Sequence, residues 1–447
     1  MSAYWCELAW LGGEPAEPGV LVETEGERIK SVEAGVASPP PGAERLAGLT
    51  LPGFANAHSH AFQRALRGRA QERGGGSFWD WRERMYVLAG RIDPDNYLAL
   101  ARACFAEMAL AGITTVGEFH YLHHRPDGGR YEDPNALGLA VIAAARDAGI
   151  RITLLDACYL DGGVGEPLAA GQRRFGDGDA AAWAERVEAM AEGPDHRVGA
   201  AIHSLRAVDP GAAGTVASWA AAGGRPLHAH LSEQPAENEA VLAAYGRTPA
   251  AVLADAGALA ADFTAVHATH LTDDDVTLLG GAAACCCLCP TTERDLGDGI
   301  GAARRLADAG CPLAIGSDSQ AVIDPFEEAR ALELDQRLAT GERGIHSAAE
   351  LLAAATADGH RCLGWGDAGR IEAGMRADLV TVALAGPRLA GTAPEHALES
   401  VVYAAAPPDV STVVSGGREI VSGGAHVSID VGAELDAAIA ALEGGSG

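Results

Sequence analysis

The sequence predicts an α/β fold, a TIM-like (β/α)8 barrel with a small β-sandwich domain formed from both chain ends. After residue 50, short apolar strand-like segments alternate with alanine-rich helical segments, and about eight such units follow one another. The chain ends instead contain short strand-like segments separated by glycine and proline. Several apolar segments run directly into a histidine or an aspartate, as barrel strands do where they reach a catalytic rim.

The chain length supports a division into a large and a small domain. With 447 residues, the chain exceeds the usual size of a single domain. We expect residues 1–50 to form the first part of the β-sandwich, residues 51–370 the barrel, and residues 371–447 the second part of the sandwich with a C-terminal tail. Each chain end is too short for a stable β domain alone, so the two are expected to pack together.

Periodicity and composition place the elements within these parts. The expected strands of the β-sandwich lie at 19–23, 28–33, 371–382 (after a turn), 400–403, 411–414 and 418–421. The expected barrel strands lie at 51–60, 113–118, 150–155, 198–203, 226–230, 264–267, 282–289 and 313–318. The expected helices lie at 96–111, 136–148, 180–191, 250–255 and 348–363.

The charge balance excludes several classes of partner. The net charge is −28, with 33 basic against 61 acidic residues, which argues against nucleic acid and against anionic membrane surfaces. The N-terminus carries neither a basic region nor a long apolar core, and the chain contains no apolar run of membrane-spanning length. Nine cysteines in a chain this long suit a reducing compartment, so we expect a cytoplasmic protein.

Three histidines and one aspartate form the candidate metal site. His58 and His60 are two residues apart, so on a strand both imidazoles leave the same face. His230 and Asp318 follow further apolar segments, and all four ends would meet at one barrel rim. Three imidazoles and one carboxylate suit one divalent ion, for which Zn²⁺ is expected and Fe²⁺ or Mn²⁺ are compatible. The only lysine is Lys30, which excludes a carboxylated lysine bridging two metal ions in the barrel.

Two further residues are candidate proton-transfer groups. Glu233 follows His230 by three residues, and there it can carry a proton to a leaving nitrogen without ligating the metal. The alternative is a surface glutamate that caps the next helix. His267 is expected beside the metal-bound water, and His270 in the following loop. His228 shares the face of His230 one layer deeper, so we interpret it as a packed core histidine.

At these residues the chain resembles the amidohydrolase superfamily in its mononuclear, deaminase-like subtype. The shared pattern consists of the His-x-His, the His-x-x-Glu, the later His and the Ser-Asp. Longer segments resemble the formimidoylglutamate deiminase family of histidine degradation, and they lie at 58–69, 78–86, 118–124, 203–206 and 289–299. The chain departs from that family at Arg294-Asp295 and in the cysteine-rich segment 285–287.

The resemblance implies a substrate and the residues that bind it. The substrate would be N-formimidoyl-L-glutamate, hydrolysed to N-formyl-L-glutamate and ammonia, with Glu233, His267 and Asp318 as the catalytic residues. Two substrate carboxylates call for arginine, because its guanidinium matches a carboxylate with two donors. The implied substrate-binding residues are Arg82 and Arg206, with hydrogen bonds from Gln63, Tyr121 and His203. The superfamily also implies a homodimer.

Other interpretations remain open. Expulsion of glutamate instead of ammonia would give formamide from the same site. A related aminohydrolase would act on a heterocyclic amine, and a non-catalytic barrel would act as a binding protein. Arg82 could instead pack within its aromatic segment. His120, His123 and His124 could hold a second metal. Cys286 and Cys289 could form a zinc or redox site, but this pair is expected in a buried strand.

Overall fold

Both chain ends contribute strands to one sheet beside the barrel. The computed structural model describes residues 1–71 and 76–444, so positions 445–447 of the expected tail lie outside the described residues. The N-terminal strands are β1 (Ser2–Ala9), β2 (Glu17–Glu25), β3 (Arg28–Glu33) and β4 (Glu44–Pro52).

The barrel strands follow directly after this N-terminal segment. They are β5 (Phe54–Ser59), β6 (Ile113–His120), β7 (Arg151–Cys158), β8 (His196–Ile202), β9 (Leu227–Leu231), β10 (Phe263–His267), β11 (Cys285–Leu288) and β12 (Leu313–Ile315). Consecutive strands pair in parallel, and an isolated parallel bridge between Ser59 and Asp318 joins the first strand to the segment after the last. Strands β5, β6 and β7 are buried along their whole length, as the strands of a helix-covered parallel sheet must be.

The C-terminal strands complete the second sheet. They are β13 (Leu379–Val382), β14 (Val410–Ser415), β15 (Arg418–Ser422) and β16 (Ala425–His426). β13 pairs antiparallel with β4, which joins the two chain ends into an eight-stranded sheet of order β16-β15-β14-β13-β4-β1-β2-β3. The sheet also folds over, since Arg28 and Arg376 form a bridge, and its own apolar core includes Tyr4, Val22 and Leu379. The predicted barrel with a small β domain built from both chain ends is confirmed, whereas the domain boundaries stay predictions.

Helices cover the outside of the barrel. They are α1 (Phe78–Ala89), α2 (Pro94–Leu110), α3 (Ala136–Ala148), α4 (Ala180–Glu188), α5 (Pro210–Gly223), α6 (Pro235–Tyr245), α7 (Pro249–Asp255), α8 (Asp273–Gly281), α9 (Pro290–Leu296), α10 (Ala303–Asp308), α11 (Pro325–Thr340), α12 (Ala348–Ala355), α13 (Ala357–Cys362), α14 (Ala397–Ala404) and α15 (Val431–Gly444). Several start alike: Asp209 before Pro210 and Asp324 before Pro325 each accept two backbone N–H bonds, and the proline occupies the first helical turn. Among the helices described, none is both long enough and apolar enough to cross a membrane.

Two expected elements differ from the structure. The segment expected as a strand at 400–403 lies in helix α14, because Leu398, Val401 and Val402 recur at helical spacing and are buried together. The long helix expected at 348–363 is two helices, α12 and α13. They are interrupted at Thr356, which has φ −127° and ψ −95° and whose hydroxyl donates to the Leu352 carbonyl.

Candidate metal centre and active site

The carboxyl-terminal ends of the barrel strands bring the predicted metal ligands together. The Nε2 atoms of His58 and His60 each lie 3.2 Å from Asp318 Oδ1. His230 Nε2 lies 3.1 Å from His58 Nε2, and His267 Nε2 lies 4.0 Å from Asp318 Oδ2. Ligand atoms of His58, His230, His267 and Asp318 all lie within 4.8 Å of one another. The side chains predicted to hold one metal ion therefore converge in the structure.

Hydrogen bonds at the far side of two imidazoles show that this group of residues suits a cation. His60 Nδ1 donates to the Phe119 carbonyl at 2.9 Å, and His230 Nδ1 donates to the His203 carbonyl at 2.9 Å. In the neutral ring, each Nε2 therefore carries a lone pair. The lone pair of His60 then faces the carboxylate of Asp318, so two acceptors oppose each other unless a positive charge lies between them. The residues present fit a divalent ion.

The backbone at this rim is held in unusual conformations. Ser232, His267 and Asp318 have φ values of +51°, +67° and +42°, in the left-handed region that non-glycine residues rarely adopt. Such conformations persist where the surrounding structure enforces them. Here Asp318 N–H donates to the His58 carbonyl, and His60 N–H donates to the Asp318 carbonyl, both at 3.0 Å. The closure of the barrel thus fixes the ligand positions.

A buried carboxyl group supports the segment between the first two histidines. Glu118 accepts hydrogen bonds from the Ser59 hydroxyl at 2.6 Å and from the Ala61 N–H at 2.7 Å. Burial raises the pKa of Glu118 to about 7, although these hydrogen bonds act in the opposite direction. Two fixed hydrogen bonds on neighbouring residues leave His60 little freedom to rotate away from the site.

Acidic side chains surround His267 on two sides. Its Nε2 lies 3.8 Å from Glu233 Oε1, and its Nδ1 lies 3.4 Å from Glu293 Oε1. Burial alone would lower the pKa of His267, but Glu233, Glu293 and Asp318 outweigh burial and raise this pKa to about 10. His267 is therefore placed to hold a proton between the metal centre and Glu233.

A cavity of about 610 Å³, measured with its open mouth, leads to the metal centre. One face of helix α1 covers it with Phe78, Trp81, Arg82, Met85 and Tyr86, which recur at helical spacing. The five substrate-binding residues implied by the resemblance all line this cavity, namely Gln63, Arg82, Tyr121, His203 and Arg206.

The two arginines of the cavity have different surroundings. The Arg82 guanidinium lies over the rings of Trp79 and Tyr86, 4.5 and 5.5 Å from their centroids, and its buried Nε has no hydrogen-bond partner within the described residues. Arg206 already contacts a carboxylate, since its Nη2 lies 2.6 Å from Glu233 Oε2. Both arginines line the cavity.

The smaller polar groups of the cavity form short hydrogen-bonded pairs. Gln63 Nε2 donates to the Tyr121 hydroxyl at 2.9 Å. The His203 ring packs against Tyr159 with centroids 4.4 Å apart, and burial lowers the pKa of His203 well below its usual value. Gln172 Nε2 donates to the Tyr159 hydroxyl at 2.8 Å, so Tyr159 is held in place beside His203.

Two acidic residues of this site, Glu293 and Glu237, were not predicted from the sequence. Glu293 accepts the Cys289 N–H at 2.8 Å and faces His267, and Glu237 accepts the N–H groups of Ser232 and Glu233 at 3.2 and 3.3 Å. A carboxylate four residues after Glu233, in the first turn of α6, was the available signal for Glu237.

The remaining candidate residues lie outside the cavity. His228 is buried, and its Nε2 donates to the Cys362 carbonyl at 3.0 Å, while His270 lies in the loop after β10. His120 and His123 lie near Asp156, whose carboxylate already binds the Arg186 guanidinium. The cysteines at 285–287 form the buried strand β11, and Cys289 is buried next to it.

The chain is similar to known proteins in both sequence and fold. A family model described as the amidohydrolase family matches residues 49–420. A formimidoylglutamate deiminase from Pseudomonas aeruginosa is 39% identical over 397 residues, covering 86% of this chain and 87% of the relative. The crystal structure of an amidohydrolase from Brucella melitensis has a TM-score of 0.91 at 33% identity and covers 99% of this chain and 100% of that one. The crystal structure of an adenosine deaminase from Xanthomonas campestris with bound zinc has a TM-score of 0.85 at 24% identity, covers 99% and 97%, and shows a likeness of fold alone.

Proposed function

We propose that this chain, which belongs to the amidohydrolase family, hydrolyses N-formimidoyl-L-glutamate to N-formyl-L-glutamate and ammonia in histidine degradation. Family membership and the deiminase relative make it a hydrolase that acts on C–N bonds. One observation carries the finer proposal: Glu233 lies between His267 and Arg206, at a cavity that also presents Arg82. A metal centre, a proton carrier and two cations for a diacid are thereby close together.

The proposed metal ligands are His58, His60, His230 and Asp318, and the proposed ion is Zn²⁺. Three imidazoles and one carboxylate suit zinc, although Fe²⁺ or Mn²⁺ would accept the same ligands. The adenosine deaminase from Xanthomonas campestris contains zinc. When bound, such an ion would lower the pKa of a water molecule towards ~7.

Protein side chains then move the protons of the reaction. Asp318, with His267 beside it, accepts one proton of the attacking water as the water oxygen bonds to the formimidoyl carbon, and Glu233 passes that proton to the terminal nitrogen. The remaining hydroxyl proton of the tetrahedral intermediate follows the same route, the C–N bond to the terminal nitrogen breaks, and ammonia leaves. Both water protons thus end on the departing nitrogen, so water and substrate give N-formyl-L-glutamate and ammonia with atoms and charge conserved. General acid–base transfer of this kind contributes roughly 10²–10⁴-fold in rate.

The cavity residues would hold the two substrate carboxylates. Arg82 and Arg206 provide forked donors that match carboxylate oxygens. Gln63, Tyr121 and His203 line the same cavity, where they would hydrogen bond to the glutamate backbone.

A heterocyclic amine is the second candidate substrate. The aromatic rings of Phe78, Trp81 and Tyr159 line the cavity and would stack on a flat ring. Two arginines at the same cavity favour the diacid instead, because a neutral heterocycle offers no carboxylate to either guanidinium and would leave that of Arg82 without an anionic partner.

The test is a single assay of metal-loaded protein with N-formimidoyl-L-glutamate, in which ammonia, N-formylglutamate and formamide are measured together. Equal amounts of ammonia and N-formylglutamate support the proposal. Detection of formamide and glutamate would support the same active site but would show that glutamate, not ammonia, is the leaving group. Absence of turnover, together with activity on a purine or pterin, would replace the substrate by a heterocycle. A cytoplasmic homodimer stays a prediction.

A further inference from the structure

The two carboxylate oxygens of Glu233 contact different residues, Arg206 and His267. Its Oε2 lies 2.6 Å from Arg206 Nη2, whereas its Oε1 is 3.8 Å from His267 Nε2. Both partners of the ion pair are largely buried, with side-chain exposures of 12% for Arg206 and 6% for Glu233. The short contact is therefore with the arginine, and the proton-transfer contact is the longer one.

Arg206 also has a second carboxylate that is fixed in place. Glu237 Oε2 lies 3.6 Å from Arg206 Nε. The Glu237 side chain is fully buried and accepts the backbone N–H groups of Ser232 and Glu233. Arg206 would thus keep a counter-ion if Glu233 rotated away, and the Glu233 backbone would stay in position.

These contacts lead to an inference about specificity that rests on the proposed function. We propose that the Arg206–Glu233 ion pair is a substrate-opened latch: one carboxylate of the substrate replaces Glu233 on Arg206 and releases Glu233 for proton transfer. An amidine without that carboxylate leaves the pair closed, and Glu233 then transfers protons slowly. The carboxylate therefore raises kcat rather than only lowering KM, which separates the diacid from other amidines that fit the cavity.

Two analogues test the latch by kinetics. N-formimidoyl-4-aminobutyrate lacks the α-carboxylate, and N-formimidoyl-2-aminobutyrate lacks the side-chain carboxylate. For the analogue that cannot reach Arg206, kcat falls by about 10-fold at saturation, since Glu233 stays paired with Arg206 in roughly nine-tenths of the molecules. The other analogue keeps kcat and raises KM. If both keep the kcat of the full substrate, the latch is excluded.

Two variants separate the latch from simple binding. Arg206→Ala removes the Arg206–Glu233 ion pair. In this variant, kcat for the full substrate and kcat for the analogue that turns over slowly in the wild type therefore agree to within about twofold. Arg82→Ala is the matched control, because it removes a cavity guanidinium but leaves the latch intact, and there the kcat ratio keeps its wild-type value. A ratio that stays unchanged in Arg206→Ala would overturn the proposal.

A binding measurement gives a readout without turnover. Glutarate supplies both carboxylates but no amidine, and calorimetry measures its Kd. Glu233→Gln no longer competes for Arg206, so it binds glutarate about 10-fold more tightly than the wild type, if the closed pair takes up roughly nine-tenths of the population. Equal or weaker binding would contradict the latch. Lack of ammonia from the full substrate would defeat the proposed function instead, and the glutarate titration would still decide the latch.

Discussion

Asp318 and His58 are joined twice, once through the backbone and once through their side chains. Asp318 N–H donates to the His58 carbonyl at 3.0 Å, and His58 Nε2 lies 3.2 Å from Asp318 Oδ1. The first contact closes the barrel between its first and last strands, and the second forms one edge of the metal centre. Because Asp318 and His58 both close the barrel and contribute to the metal centre, metal binding and barrel closure are expected to be coupled.

Metal removal is therefore expected to lower stability as well as activity. The ligands His58 and Asp318 are 260 residues apart in the sequence, so only the folded chain brings them together. An ion that binds only the folded chain shifts the folding equilibrium towards the native state. At an ion concentration of 1,000 times Kd, this linkage contributes about 4 kcal/mol. Differential scanning calorimetry of chelator-treated protein, before and after addition of Zn²⁺, measures the change in Tm alongside ammonia release. A Tm that does not respond to Zn²⁺ would disconnect the ion from these ligands.

Glu233→Gln is expected to bind metal normally and to lose roughly 10²–10⁴ in kcat, since the amide cannot carry a proton. The exposed Glu239 lies on α6, a few residues further on, so Glu239→Gln is the matched control and keeps wild-type turnover. Elemental analysis for the metal and steady-state kinetics together decide the assignment. Near-normal kcat in Glu233→Gln would return this residue to the role of a helix cap.

The metal-ligand residues could be predicted because each is marked by a local sequence pattern. An apolar segment followed by His58 and His60, or by His230, reads as a strand that ends in a polar side chain, and parallel strands place such ends together. Glu293, which contacts His267, could not be predicted in the same way, because sequence spacing does not encode that contact. For Glu237 the position in the first turn of α6 was a signal, but its contact with Arg206 appears only in the fold.

The incorrect elements show where local propensity fails. Residues 400–403 contain adjacent valines, which favour a strand by themselves. Burial of Leu398 together with Val401 and Val402 on one face outweighs that preference and produces helix α14. Helix α1 was also not predicted, although Phe78, Trp81 and Met85 recur at helical spacing; only the cavity that its apolar face covers is invisible in the sequence.

Arg82→Met is expected to raise KM for the diacid by at least about 10-fold, because a charge-assisted hydrogen bond to a carboxylate is lost. The methionine retains an apolar chain between Trp79 and Tyr86, so Tm changes little. Steady-state kinetics with N-formimidoyl-L-glutamate and thermal unfolding measure the two quantities. If KM is unchanged, Arg82 is a packing arginine rather than part of the binding site.

Arg186→Met is expected to destabilise the fold without altering the metal centre. Arg186 binds the buried carboxylates of Asp156 and Asp177 at 2.8 and 2.9 Å, away from the cavity. Removing one partner of such a network costs about 3–5 kcal/mol, because it leaves buried charges uncompensated. Urea unfolding at pH 7 measures the loss, and metal content with kcat at low temperature provides the control.

The cost of Arg186→Met is also expected to shrink in acid. Burial would raise the pKa values of Asp156 and Asp177, but hydrogen bonds and charge from Arg186 and neighbouring histidines outweigh burial and hold both pKa values below the usual range. Carboxylates with lowered pKa values stabilise the fold above their unfolded pKa of about 3.9, and this stability is lost as the pH falls below that value. The gap in unfolding free energy between wild type and Arg186→Met should therefore narrow by about 1 kcal/mol per carboxyl group at pH 3. A gap of equal size at pH 7 and pH 3 would mean that the guanidinium stabilises the fold by packing rather than through these charges.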